Sequence, residues 1–404
     1  MRGGAAFAGG RFADGRLRRL PGRTAVLGDV RQVDASGRSE RSGECETLVR
    51  MAGSFIAGLE LSELFFAEIV RPLLTEALGR QPYSSALMGY GSEVQGFDTE
   101  RSTDHAWGPR LTVFLDSDAF GRQAAELDRW LDDKLPDMFG GHPVRFAFPD
   151  GTPRRHWVHT VDVTAFFREQ LGADPGQDMS VSTWLTVPTQ VLRELTGGSV
   201  FHDGLGVLHR YRRALQWYPD EVWRYVLACQ WMRLSAEEPF VGRCAEVGDE
   251  LGSAVVAARQ VRETMRLCLL MDRIYPPYSK WLGTAFARTE RAGQLGPHLA
   301  AAVAARSWQE REQNLSSAYE IIAALHNERG LTVPLDTKVR QFYSRPFLVL
   351  DAYRFADALM DTVASPQIKA LPRVGAIDQY VDSTDMTDRN AVRWRRQYIS
   401  GPPM

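Results

Sequence analysis

Lysine is almost missing from this 404-residue chain: Lys134, Lys280, Lys338 and Lys369 are the only four, and every other basic side chain besides the histidines is arginine. Arginine abundance fits GC-rich coding and by itself says nothing about anion binding. Cysteine is as scarce, with Cys45, Cys229, Cys244 and Cys268 alone. None stands at metal-ligand spacing and two fall inside apolar helical patterns, so buried free thiols in a reducing cytoplasm are expected rather than disulfides or zinc. No stretch approaches the roughly 18 uninterrupted apolar residues that span a bilayer, and the opening Arg2-Gly-Gly lacks the apolar core of a signal peptide. Neither charge is in excess: 48 basic against 50 acidic residues give a formal charge of −2, with no general electrostatic pull toward nucleic acid or a membrane surface. Apolar residues, in contrast, are plentiful at 44%, enough for two globular domains with their own cores.

The pattern changes three times along the chain. Residues 1–50 are rich in Gly and Arg with no apolar period and are expected to be disordered or weakly ordered. From Ser54, the spacing of Phe55, Leu59, Leu61, Leu64, Phe65, Ile69 and Leu73 predicts an amphipathic first helix. Short β-like runs follow at Ala86–Tyr90, Leu111–Leu115, Val144–Phe148 and Trp157–Val163, with a helix over about 119–135 between the second and third. Strands interleaved with helices predict an α+β fold over 51–175, one mixed sheet with flanking helices. After the linker Ala173–Asp178, an all-helical domain is expected over 176–365. One stripe there is Leu215, Tyr218, Val222, Tyr225, Val226, Cys229 and Met232, a second is Val261, Met265, Cys268 and Met271, and later helices fall near 296–305, 307–329 and 346–363. An irregular tail is expected over 366–404.

Chemistry concentrates between residues 87 and 115. The Gly89-Tyr-Gly91-Ser92 turn closes a strand; glycine permits positive φ and close backbone approach, and successive N–H groups in such a turn hold phosphate oxygens. A Gly-Ser pair after an apolar strand is also simply a turn. Asp104 follows Ser92 by twelve residues and precedes the strand Leu111–Leu115, where a carboxylate can serve the Mg²⁺ of phosphoryl transfer. Side chains at i and i+2 of an extended chain share a face, and here the partner of Asp104 is Ala106. Asp162 interrupts a buried apolar run, so its carboxylate must be paired, hydrogen-bonded or metal-bound. It is the expected second ligand; the alternative is an N-cap for a helix starting near Thr164.

These residues resemble the DNA polymerase beta-like nucleotidyltransferase superfamily, whose pattern is Gly-Gly or Gly-Ser, a spacer of about ten residues, then Asp-x-Asp or Asp-x-Glu. Over about 54–350 the chain more closely resembles an uncharacterised family of that superfamily, domain of unknown function 4037. The matching strings are Gly91-Ser92-Glu93, Gly96-Phe97-Asp98, Asp104-His105, Trp107-Gly108-Pro109-Arg110 and Tyr275-Pro-Pro-Tyr-Ser-Lys-Trp-Leu-Gly283. The resemblance implies a nucleotidyltransferase fold followed by a helical domain, with no substrate named. The family string reads Asp-His-Asp-Trp-Gly, so Ala106 removes one metal ligand; Asp98, Glu100, Asp116 and His105 are the candidate neighbours to replace it.

In the helical half, Lys280 between Tyr278 and Trp281 suits a triphosphate with stacking rings beside it, or a snorkelling stem over aromatic packing. Asp249 or Glu250 is a conceivable general base, or a first-turn acid complementing a helix dipole. Arg259, Arg262 and Arg266 share a helix face that would line a phosphate cleft or simply meet solvent. His202-Asp203 and His326-Asn327 read as turn or core pairs. The sequence therefore predicts a cytoplasmic, Mg²⁺- or Mn²⁺-dependent enzyme that transfers a nucleoside monophosphate from an NTP, expected to be ATP, to a hydroxyl or phosphate of an unknown acceptor. Gly91, Ser92 and Lys280 would bind the nucleotide, and Asp104 and Asp162 the metal. A catalytically silent nucleotide-binding or scaffold protein is the alternative that Ala106 favours. A third reading makes the helical half a protein-interaction module.

Overall fold

The computed structural model describes residues 55–104, 107–146 and 154–387, without the Asp385 side chain. The extension over 1–50, His105, Ala106 and the last part of the tail lie outside the described residues. The first helix runs as α1 (Gly58–Phe65), a π turn (Phe66–Val70) and α2 (Arg71–Leu78). Pro72 has no N–H to give, and the helix widens into the π turn just before it. The Asp98 carboxylate caps the start of α1, accepting from the Gly58 N–H at 2.7 Å and from Trp107 Nε1 at 3.0 Å.

Four strands form one mixed sheet. In chain order they are β1 (Ser84–Leu87), β2 (Leu111–Leu115), β3 (Val158–Asp162) and β4 (Ser199–Asp203), and in space the order is β3-β2-β1-β4. β2 runs parallel to β3 and antiparallel to β1, and β4 pairs antiparallel with β1. The period of two sorts β2 between two cores. Leu111, Val113 and Leu115 pack with Leu61, Phe65 and Leu74 of the first helix and with Leu127 and Leu131 of α3 (Ser117–Lys134), whereas Phe114 points into the larger core shared with the helices after residue 163. Only part of the strand expected over Val144–Phe148 is described, and there Arg145–Phe146 pairs with Arg155–His156 in a separate two-stranded ribbon. β4 comes from beyond the Ala173–Asp178 linker, so the sheet draws strands from both sides of it.

After α4 (Val163–Leu171), α5 (Val181–Thr186), α6 (Thr189–Thr196) and α7 (Leu208–Leu215), two long helices make the centre of the helical part: α8 (Asp220–Glu237) and, after the short α9 (Phe240–Glu246), α10 (Glu250–Met271). Of the expected stripe, Leu215, Tyr218, Val222, Tyr225, Val226 and Cys229 are buried and Met232 is half-buried against the same core. α11 (Ser279–Ala287), α12 (Ala292–Ala304) and α13 (Trp308–Glu328) follow. The helix expected over 346–363 is shorter, with α14 spanning Tyr353–Asp361, because Leu348–Val349 pairs with Arg340–Gln341 in a hairpin and Asp351 takes a positive φ of 64°. Short helices at Pro366–Lys369, Ile377–Tyr380 and Thr384–Thr387 run through the first part of the tail. No helix among the described residues is long and apolar enough to cross a membrane.

Candidate functional site

The turn after β1 is held from beneath by a buried ion pair. Arg110, 5% exposed, donates through Nε to Glu93 Oε1 at 2.7 Å and through Nη2 to the Tyr90 carbonyl, while its guanidinium lies 4.4 Å from the centre of the Tyr90 ring. Gly91 sits directly against this pair with φ +131°, and a Cβ there would run into Arg110 Nη2 and the Glu93 carboxylate. Glycine is therefore required at 91 on two counts, backbone strain and space. Among the described residues no acceptor meets the N–H of Gly91 or of Ser92, so the turn offers two backbone donors.

Gly91 and Ser92 line a cleft of about 680 Å³. Its walls come from four separated stretches: Tyr90 to Asp104, Gln190 and Glu194 of α6, Tyr278 to Trp281 at the start of α11, and Thr384 and Thr387. The turn is tied to α6 by the Gly89 N–H, which donates to the Glu194 carbonyl at 2.9 Å. The Tyr275–Trp281 loop is tied to the same helix: Thr189 Oγ1 donates to the Pro276 carbonyl at 2.7 Å, and the Tyr278 N–H donates to Gln190 Oε1 at 3.1 Å. Trp281 packs on Phe97 with the rings 5.3 Å apart and tilted by 30°, and Phe97 also carries the Arg193 and Arg288 guanidiniums on its ring.

Of the residues expected from sequence, Gly91, Ser92, Asp104 and Lys280 all line this cleft. Asp104 ends the 3-10 turn Glu100–Asp104 and is exposed. Lys280 is exposed, with Nζ 4.8 Å from the centre of the neighbouring Trp281 ring. Neither Lys280 nor Arg101, the other cation of the cleft, forms an ion pair among the described residues.

Asp162 is not brought there. In the parallel β2–β3 register it stands opposite Leu115, the far end of β2 from Asp104, and four residue steps of a strand cover about 13 Å. Its Oδ1 accepts from the Ala165 N–H at 2.9 Å as the N-cap of α4. Partial burial works against its ionisation, but hydrogen bonds from Ser117 and from the Ala165 and Thr164 N–H groups, with the charge of Arg168, outweigh it and hold the carboxyl below its usual range. The helix that Asp162 starts takes this carboxylate as its cap.

The proposed substitutes for the ligand missing at 106 divide similarly. Asp98 caps α1, Asp116 caps α3 through the Ala119 N–H at 2.8 Å, and His105 and Ala106 lie outside the described residues. Asp249 caps α10, and Glu250 pairs with Arg311 Nη1 at 2.6 Å, so both have the structural role that their position at a helix start allows. Arg259 pairs with Glu237 at 2.8 Å and, unlike Arg262 and Arg266, is not among the residues that line a cavity here. His326 is a core residue, accepting from Trp231 Nε1 at 3.2 Å, with burial pulling its pKa down to about 4.

Sequence reasoning missed Glu194 and Gln190. Glu194 is 7% exposed, lines the cleft, and accepts from Gln190 Nε2 at 2.7 Å. The available signal was a polar pair at i and i+4 in a helix otherwise buried on that side. A single Mg²⁺ arriving with a triphosphate needs one or two carboxylates and keeps much of its water, which Asp104 in the cleft suits. No group of three or more His, Cys, Asp and Glu side chains able to hold an ion occurs among the described residues.

No curated protein matches the chain. Residues 184–282, which carry the α6 wall of the cleft and the Tyr275–Trp281 loop, match the model of a family described as Domain of unknown function (DUF4037).

Proposed function

We propose that this chain is a nucleotidyltransferase-like protein whose 680 Å³ cleft binds a nucleoside triphosphate, ATP being the expected one. The observation that carries the reading is the juxtaposition in one cleft of the N–H groups of Gly91 and Ser92, which meet no acceptor among the described residues, two cations that form no ion pair among them, and the rings of Tyr90, Tyr278 and Trp281. Phosphate oxygens take the turn donors and the Lys280 and Arg101 charges; the base takes an aromatic face. When bound with the triphosphate at Asp104, Mg²⁺ supplies charge neutralisation. The reaction is transfer of a nucleoside monophosphate to a separate acceptor, in a cytoplasmic setting that suits free Cys229, Cys244 and Cys268.

A second reading, a silent nucleotide binder, is favoured by the commitment of Asp162 to a helix cap. Titration calorimetry with a non-hydrolysable ATP analogue tests the shared part: saturable binding that Lys280→Ala weakens is expected, and no binding of any NTP sinks both readings. Pyrophosphate release across acceptor pools then separates them, since the silent form binds and releases none.

A further inference from the structure

Behind the cleft lies a smaller cavity of about 140 Å³, lined by Thr189, Gln230, Arg262, Arg266, Ser279 and Asp378 among others, which shares Tyr278, Thr384 and Thr387 with the cleft as a common wall. Three guanidiniums, those of Arg233, Arg262 and Arg266, surround one buried carboxylate, Glu263. Its Oε1 accepts from Arg262 Nε at 3.0 Å and Arg233 Nη2 at 3.2 Å, and its Oε2 from Gln230 Nε2 at 2.7 Å and Arg233 Nε at 3.1 Å. A carboxylate has about four lone-pair positions, so Glu263 is full. Arg266 Nη1 is left 3.9 Å from it and donates to the Asp378 carbonyl at 3.0 Å.

The other acids give Arg266 no side-chain hydrogen bond among the described residues. Asp382 pairs with Arg262 at 2.9 Å and its side chain is 75% exposed, where water screens it. The Asp378 carboxyl accepts from the Thr189 N–H at 2.9 Å; burial pushes its pKa up, and its charge favours the charged form of Arg266 without a hydrogen bond to it. Arg266 has five N–H donors to satisfy and a side chain 17% exposed, yet one hydrogen bond among the described residues. A desolvated guanidinium short of acceptors is costly unless something anionic meets it.

We propose that this cavity is the acceptor pocket: it takes a small molecule bearing a carboxylate or phosphate, anchored by Arg266. The inference rests on the nucleotide reading of the adjoining cleft. The volume is close to that of the ~150 Å³ cavity known to hold benzene, so the acceptor's enclosed part is about six to eight non-hydrogen atoms. In the transfer, an acceptor oxygen forms a bond to the α-phosphorus of the NTP. The bond from that phosphorus to the oxygen bridging toward the β-phosphate breaks, and its electron pair leaves on pyrophosphate. An oxyanion acceptor arrives without a proton, so the step balances with no base.

The test is calorimetry of the full chain with inorganic phosphate and, separately, with acetate, which tells the two anion classes apart. One of them is expected to saturate a single site. Arg266→Gln should weaken that site by roughly tenfold or more, as loss of a charge-assisted hydrogen bond does, while ATP-analogue affinity stays unchanged. Should Arg266→Gln fail to fold, Ser279→Trp, made from an exposed position on the rim, fills the cavity and should abolish anion binding with Arg266 intact. The inference is overturned if neither anion saturates, or if neither variant alters the binding. ATP binding without anion binding sinks this inference alone; Arg266-dependent anion binding without any NTP binding sinks the nucleotide reading and the acceptor role with it.

Discussion

Replacing Asp162 by alanine separates a helix cap from a metal ligand. As the N-cap of α4, its carboxylate accepts from the Ala165 N–H at 2.9 Å, one of the donors that a helix start leaves without a partner. Removing an N-cap acceptor costs about 1 kcal/mol, so urea unfolding of Asp162→Ala at pH 7 should fall short of the unsubstituted protein by about that much. Asp162→Asn keeps an acceptor and should lose only a few tenths of a kcal/mol. The pH dependence has a definite sign. The folded-state pKa lies below the ordinary 3.8, so the carboxylate's contribution is present above that value and lost as pH falls through the depressed one. The gap between Asp162→Ala and the parent should therefore close at acid pH. NTP affinity, measured by calorimetry with Mg²⁺ present, should be the same in both. A variant as stable as the parent at pH 7, or one that loses Mg²⁺-dependent affinity, would refute the cap assignment and return Asp162 to the metal.

Lys280→Ala should lower NTP affinity by roughly tenfold, the size of one lost charge-assisted contact, with no change in unfolding midpoint because the side chain is exposed and outside any ion pair among the described residues. Gly91→Ala should cost about 2–4 kcal/mol, since it joins a strained positive φ to intrusion on the buried Arg110–Glu93 pair; thermal denaturation measures it. Glu263 is held at a pKa of about 2 against an ordinary 4.5: burial opposes its charge, but the hydrogen bond from Arg233 and the charges of Arg266 and Arg233 prevail. That difference is worth about 3 kcal/mol, present above pH ~4.5 and lost toward pH ~2, so Glu263→Gln should flatten the acid limb of a stability-against-pH curve while lowering the plateau at neutral pH. Ala106→Asp, which returns a carboxylate two residues from Asp104, should strengthen Mg²⁺-dependent NTP binding; an unchanged Mg²⁺ requirement in calorimetry would count against that placement.

Local pattern by itself determined a good part of this protein. The period of 3.6 located the first helix, because a helix that buries one face records that face in its spacing; the stripe from Leu215 to Cys229 marked buried residues but spans two helices and the turn between them. The run Leu111–Leu115 declared a strand to the residue, being apolar on both faces between two cores. Gly91 and Ser92 were legible as a turn because glycine tolerates the backbone there, and Asp104 was singled out by its spacing of twelve residues from Ser92.

What pairs with what was decided only in three dimensions. β4 carries no stronger pattern than a loop, and its pairing with β1 is a long-range event that no local window records. Asp162 reads identically in sequence as ligand or cap; the parallel β2–β3 register, which sends it to the far end of the sheet from Asp104, makes it a cap. Glu194 and Gln190 joined the cleft only because α6 docks beside the Gly89–Ser92 turn. Arg266 looked like its neighbours Arg259 and Arg262 on one helix face until the packing gave Arg259 and Arg262 carboxylates and filled Glu263 before Arg266 could reach it.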